Sequence, residues 1–309
     1  MRGAIGIAAA LWIAIVAMQH AAFTQAPGTI GGPLPGITPA AFTEFRLGLD
    51  DFTEVETAEE GLGPAFNGTS CAVCHNVPVV GGGGVILEIR AGYRDDAGDH
   101  AGVNEAGDAV IHMLSRPSHA CQPLIPDDVT VIARRAPIPL FGAGLVEAIP
   151  DETLLTLEDP FDRDRDGVSG RAAVVVDIGS GRRRVGRFGW KAQHATLLAF
   201  GADAYRNEMG ITNDLFPQES AFGVSHAQMR QCDPFPDPED VRDPRTGRRG
   251  IDNFESFMRL LAPVGRSQVD AAAQDGERLF SAIGCATCHV PVLETGPSGA
   301  APFDRRRVE

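Results

Sequence analysis

The chain has 309 residues, a formal net charge of −14 and a pI near 5.0. That acidity argues against nucleic acid and anionic membrane surfaces as partners, since both repel an acidic protein. The length leaves room for about two globular domains.

The first 26 residues read as a signal peptide. Arg2 is the only charge ahead of an apolar run from Ala4 to Met18, which is short for a membrane span. No clean Ala-x-Ala site follows, and Pro27 disfavours cutting after Ala26, so an uncleaved N-terminal anchor is the alternative. Residues 27–40 form a Pro/Gly-rich leader. Phe42, Phe45, Leu49 and Phe52 fall at helical spacing and predict an amphipathic helix to about Glu56, broken at Gly61-Leu62-Gly63-Pro64.

Cys71-Ala72-Val73-Cys74-His75 follows, and the same spacing recurs at Cys285-Ala286-Thr287-Cys288-His289. Cys-x-x-Cys-His is the attachment pattern of c-type haem: the thiols add to the vinyl groups and the adjacent His ligates the iron. A zinc site would bring its Cys pairs closer together in sequence, and a redox dithiol needs no His after the second Cys. Two covalently bound c-type haems are therefore expected, with His75 and His289 as proximal ligands. Such attachment takes place outside the cytoplasm, which agrees with export and predicts a periplasmic protein. Cys121 and Cys232 remain; an oxidising compartment permits them to pair, and a disulfide is favoured over two free thiols.

After His75 the run Gly81 to Gly84 reads as a turn near a flat cofactor or as a plain loop, without the context of a phosphate-binding loop. Short strands are predicted at Val85–Ile89, Val129–Ile132 and Ala172–Ile178, a buried irregular segment at 137–144, and a short helix over 151–158 capped by Asp151. Asp162, Asp164 and Asp166, with Gly167 sixth, follow the first half of a calcium loop. Ala173 stands where the closing Glu belongs, so an Asp-rich turn is the alternative. Residues 234–250 read as a surface loop. Asp252 opens a helix with Phe254, Phe257, Met258 and Leu261 on one face. Ser267 and Asp270 read as a capping box for a helix ending near Gly284, just ahead of the second haem motif. Residues 290–309 hold no His, Met, Tyr or Lys and too little sequence for the rest of a cytochrome domain, so the C-terminal domain reads as truncated.

Between the motifs, Arg135-Ala136-Pro137, Phe141 to Pro150, Asp166 to Arg171, Gly186 to Ala192 and Glu208 to Asn213 stand as spaced blocks. From about residue 40 to 295 the chain resembles the di-haem oxidoreductases, a peroxidase-type family also labelled thiol oxidoreductases and related to bacterial di-haem cytochrome c peroxidases. The resemblance implies a mainly α fold of two cytochrome c-like domains with irregular loops and a few short strands. The N-terminal haem domain would span 41–265 and the incomplete C-terminal one 266–309. It also makes Glu208 the acid of a distal peroxide pocket and Trp190 an electron relay between the haems; an exposed Glu and a packing aromatic are the alternatives.

His100, His112, His119, His194, His226, Met113 and Met209 are open candidates for distal ligands. The activity the resemblance implies is peroxide reduction at the N-terminal haem. Electrons would come through the C-terminal haem from a small cytochrome or cupredoxin-type donor. A non-catalytic electron-transfer protein and an oxygenating or protein-modifying haem enzyme are the alternatives.

Overall fold

The computed structural model describes residues 28–309 apart from 97, 102–109, 117–120, 122–124, 126, 234 and 236–240. The expected signal peptide and His119 lie outside the described residues, as does the side chain of His100.

Two helices build the centre. Helix α1, Pro39–Thr53, starts at Thr38, whose hydroxyl accepts from the Ala41 amide, and buries Phe45, Gly48 and Phe52. It packs along a helix formed by Gly250–Leu260, which buries Ile251, Phe254, Phe257, Met258 and Leu260. The two approach closely at Gly48, where a Cβ would stand 2.2 Å from the Asn253 carbonyl oxygen. Phe257 stacks on Phe45 and Phe52 with ring centroids 5.4 and 4.7 Å away. Both helices match the predicted amphipathic spacing, although Phe42 faces solvent.

Five α-helices lie between them in sequence among the described residues, and the first three are short: α2 (Cys71–Cys74), α3 (Ala143–Glu147) and α4 (Asp151–Leu155). Helix α5, Leu197–Met209, is capped by the Thr196 hydroxyl. Glu147 accepts from the Leu197 amide at 2.7 Å and from Arg259 at 2.8 Å, so one carboxylate joins α3, the start of α5 and the Gly250–Leu260 helix. Arg187 donates to the carbonyls of Val146, Glu147 and Ile149 and to Asp151. Asp151 therefore serves as an ion-pair partner of Arg184 and Arg187 at the first turn of α4, and Pro150 is the capping residue. Helix α6 covers His226–Cys232; α7 is the Gly250–Leu260 helix and α8 covers Ala271–Ala282.

The mainly α expectation is overturned. Among the described residues the structure is 32% helical and 16% strand, with eight helices and several small sheets, a mixed α/β fold. Strand β2 (Glu88–Asp95) pairs antiparallel with β3 (Gly98–Ala101), β4 (Val110–Ile111) and β6 (Val131–Arg135). Smaller pairs join β1 (Ala65–Phe66) to β5 (Leu114–Ser115), β7 (Val174–Val176) to β8 (Arg183–Val185), and β9 (Leu293–Glu294) to β10 (Arg307–Val308). The segments between the family blocks carry β-branched runs that satisfy their backbone groups in ladders rather than helices. Cys121 and Cys232 form a disulfide across 111 residues, as favoured from sequence.

Helix α8 is capped by Asp270, whose carboxylate accepts from the Ala273 amide; Ser267 takes no part in that cap. It buries no residue, and Leu279, Phe280 and Ile283 are exposed. The tail beyond it returns to the main body: the Gly296 amide donates to the Ala148 carbonyl and Phe303 packs against the central core. Among the described residues no helix is long and apolar enough to cross a membrane.

Candidate functional site

Helix α2 carries the first haem motif. Ser70 caps it, accepting from the Ala72 amide and donating its hydroxyl to the Phe52 carbonyl at the end of α1. Cys71, Cys74 and His75 thus line a cavity of about 360 Å³ between α1, α5, β2 and the 135–141 segment. Burial pushes the Cys71 thiol up to about 12, with the nearby Glu56 adding to the effect. Burial and Glu208 raise Cys74 to about 11.

His75 Nδ1 stands 2.9 Å from the Gly82 carbonyl oxygen. A carbonyl can only accept, so Nδ1 carries the proton and Nε2 is the nitrogen available to an iron. A second hydrogen bond of this kind is how metal-binding histidines are oriented. Burial lowers the pKa of His75, which favours the neutral ligating form. Phe52 sits against the ring, 6.2 Å between centroids. The glycine run supplies this contact. A Cβ on Gly82 would lie 2.1 Å from the Val77 carbonyl oxygen, and one on Gly84 would lie 1.9 Å from that of Cys74. The run is neither a phosphate loop nor slack chain; only glycine lets it lie against the motif. Its position directly after the motif was the available signal. With two thiols, an oriented imidazole and largely apolar walls, these residues fit a haem attached at Cys71 and Cys74.

Helix α5 brings the other functional groups. Gly201, Ala204, Tyr205 and Glu208 fall on the face that lines the cavity, because residues three or four apart stack along a helix. Glu208 is half-buried, and its carboxylate accepts from the Asn67 side-chain amide at 2.8 Å. The amide oxygen of Asn67 accepts in turn from the Met113 backbone. The orienting role of Asn67 had no signal in the sequence. Trp190 also lines the cavity but is 50% exposed.

Of the open distal candidates, His194 and Met209 line this cavity. His112 is buried elsewhere, 2.7 Å from the Asn207 carbonyl oxygen; Met113 is exposed, and His226 lines a separate pocket. His194 Nε2 lies 3.0 Å from Asp203, which also pairs with Arg206. Burial alone would raise Asp203, but hydrogen bonding and charge from His194, with Arg206 and Arg90, hold it below the usual carboxylate range.

The second motif has a different setting. Cys285 is half-exposed and Cys288 and His289 are exposed, with Phe280 edge-on to the His289 ring at 5.7 Å. The attachment residues are present, but a haem there would lie against an open face of the described residues. Asp162, Asp164 and Asp166 offer carboxylate oxygens within 4.8 Å of one another. Each also accepts from a backbone amide of its own loop, Gly167, Asp166 and Val168 in turn, as an Asp-rich turn does.

A family model described as di-haem oxidoreductase, putative peroxidase, matches residues 101–305, more than half of the chain. The matched stretch contains Trp190, Glu208 and the second haem motif; the first motif precedes it. Comparisons with curated proteins and with solved structures find no match.

Proposed function

The chain belongs to the di-haem oxidoreductase family, whose cofactor is haem, and on that premise we propose that it is an exported, periplasmic peroxidase with two covalent c-type haems. The observation that carries the proposal is the shared cavity: Cys71, Cys74, an imidazole oriented through Nδ1, and the Glu208 carboxylate all meet there. Haem bound at this site supplies an iron able to bind a peroxide and reduce its O–O bond.

The protein's own groups supply the rest. His75 offers Nε2 from the proximal side, with Gly82 holding the ring. Glu208 takes a proton from the near peroxide oxygen and delivers it to the leaving one. Asn67 keeps one Glu208 oxygen occupied and so fixes where the other points. Phe52, Leu140, Phe188 and Phe200 keep the cavity walls apolar, which strengthens the carboxylate's interaction with the peroxide. Reduction to water takes two electrons and two protons, and the electrons come from a small cytochrome or cupredoxin-type donor. The exposed second motif at 285–289 suits their arrival, since a docking protein can approach it, and Trp190 at the cavity rim is the proposed relay. A calcium ion on Asp162, Asp164 and Asp166 is the accessory cation of this proposal.

The test is Glu208→Gln in protein produced with c-type maturation machinery. It should keep both haems and lose peroxide turnover by about a hundredfold or more. Unchanged turnover refutes the assignment. Because His194 and Met209 also line the cavity, the competing reading is an electron-transfer protein with both irons fully ligated. Absorption and EPR spectra separate the two: one high-spin iron supports the peroxidase, and two low-spin irons that stay inert to peroxide after reduction support electron transfer.

A further inference from the structure

Tyr205 is one of only two tyrosines in the chain. It is 2% exposed, yet it lines the cavity from the middle of the α5 face, one turn from Glu208. Its hydroxyl donates to a Glu56 carboxylate oxygen at 2.8 Å, across 149 residues of sequence. Glu56 is itself buried, held by its backbone amide on the Thr69 carbonyl. The Tyr205 ring packs edge-on to Phe254, 4.8 Å between centroids.

Packing alone does not call for this pair. A phenylalanine would fill the same space, and an apolar residue at 56 would avoid the cost of burying a carboxylate. The pair does supply what oxidation of a buried phenol requires. An oxidised phenol becomes strongly acidic and must lose its proton as the electron leaves. In a site without bulk water, a base must already be at hydrogen-bond distance. Tyr93, the other tyrosine, lies on β2 and is not among the residues that line the cavity.

We propose that Tyr205 is a redox-active residue that gives one electron to peroxide reduction in the cavity while Glu56 takes its phenolic proton. The inference rests on the peroxidase reading. The Tyr205 O–H bond breaks and an O–H bond forms on Glu56. The electron goes to the peroxide, whose reduction to two waters takes a second electron from the donor protein and two protons from solvent. A further donor electron then reduces the phenoxyl, and Glu56 returns the proton. The device holds one oxidising equivalent inside the protein between visits of a donor that carries electrons singly.

The experiment uses the full haem-loaded chain, first reduced by one electron per chain to supply the donor's share, then freeze-quenched after one equivalent of hydrogen peroxide with no further donor and read by EPR, with ring-deuterated tyrosine to identify a phenoxyl signal. The signal should appear in the wild type and in Tyr93→Phe and be lost in Tyr205→Phe. Glu56→Gln keeps an oxygen acceptor but no base, and should slow its appearance by about a hundredfold. Tyr205→Phe combined with Glu56→Gln removes the buried charge together with the phenol; loss of the signal there, with unchanged haem spectra, separates the radical from folding. A phenoxyl that persists without Tyr205 overturns the inference alone, as does peroxide consumption with no phenoxyl. A wild type that consumes no peroxide overturns the peroxidase reading with it.

Discussion

Gly84→Ala adds one methyl group at the point where the glycine run meets the haem motif. A Cβ there would stand 1.9 Å from the Cys74 carbonyl oxygen and 2.9 Å from the carbonyl carbon. A carbon–oxygen contact settles at about 3.3 Å, so more than about 1 Å of relief is needed. Both partners are backbone, and no rotamer change can provide it. The displaced carbonyl belongs to Cys74, the second cysteine of the motif. The amides of Asn76 and Val77, just beyond His75, are held by the Gly83 carbonyl at 3.0 and 2.9 Å, so the shift passes into the ligand's own turn. Overpacking of this severity costs about 3 kcal/mol, the upper end for an inserted methyl group. For a protein of this size that lowers Tm by about 6–12 °C. Circular dichroism melts of the haem-loaded protein measure the stability, and a pyridine haemochrome assay measures haem per chain, which should fall at the first motif. Gly276→Ala is the control: nothing lies within 4 Å of its Cβ in exposed helix α8, and it should leave Tm unchanged or raise it. A Gly84→Ala protein that melts within about 2 °C of wild type with full haem content would falsify the argument that the run is shaped to the motif.

Trp190→Phe should preserve folding and haem content, because the side chain is half exposed, while slowing electron transfer between the two haems in stopped-flow traces. Equal rates would remove the relay role. Chelation should lower the melting temperature if Asp162, Asp164 and Asp166 hold calcium, with restoration on adding calcium back; an unmoved transition leaves them as a turn. Asp203 has a folded pKa below its ordinary value of 3.8. Its contribution to stability is therefore present above that value and lost as the pH falls through the lowered one. Asp203→Asn should flatten the acid limb of a stability profile taken from about pH 5 down to about pH 2, and parallel limbs would rule out the pairing with His194 and Arg206 as its source.

The motifs and the two central helices were legible because their signals are local. Phe45 and Phe52 on α1, and Phe254, Phe257 and Met258 on α7, stand at spacings that one helix turn imposes. The Cys-x-x-Cys-His pentapeptides bring thiols and imidazole together within a single turn. The mainly α expectation failed between residues 88 and 185, although the strands expected near 85–89, 129–132 and 172–178 do form there as parts of β2, β6 and β7. Those strands draw their stability from partners far along the chain, Glu88 opposite Arg135 for example, and no window of sequence contains both. Asp151 was misread as a cap for a related reason. A carboxylate at a helix start is a good capping signal, but Arg184 and Arg187 reach it from more than thirty residues away.

What the sequence alone determined was local pattern fixed by short spacing: two Cys-x-x-Cys-His motifs and the amphipathic helices that frame the first of them. Tertiary structure decided which groups meet around that first motif. It brought the Gly82 carbonyl to His75, Asn67 to Glu208, and Glu56 to Tyr205. It also put His194 and Met209, rather than His112 or His226, in the cavity wall. Helical periodicity and Cys-x-x-Cys-His spacing are properties of neighbouring residues. A cavity is a property of elements packed from distant parts of the chain, and its polar contacts exist only once those elements have docked.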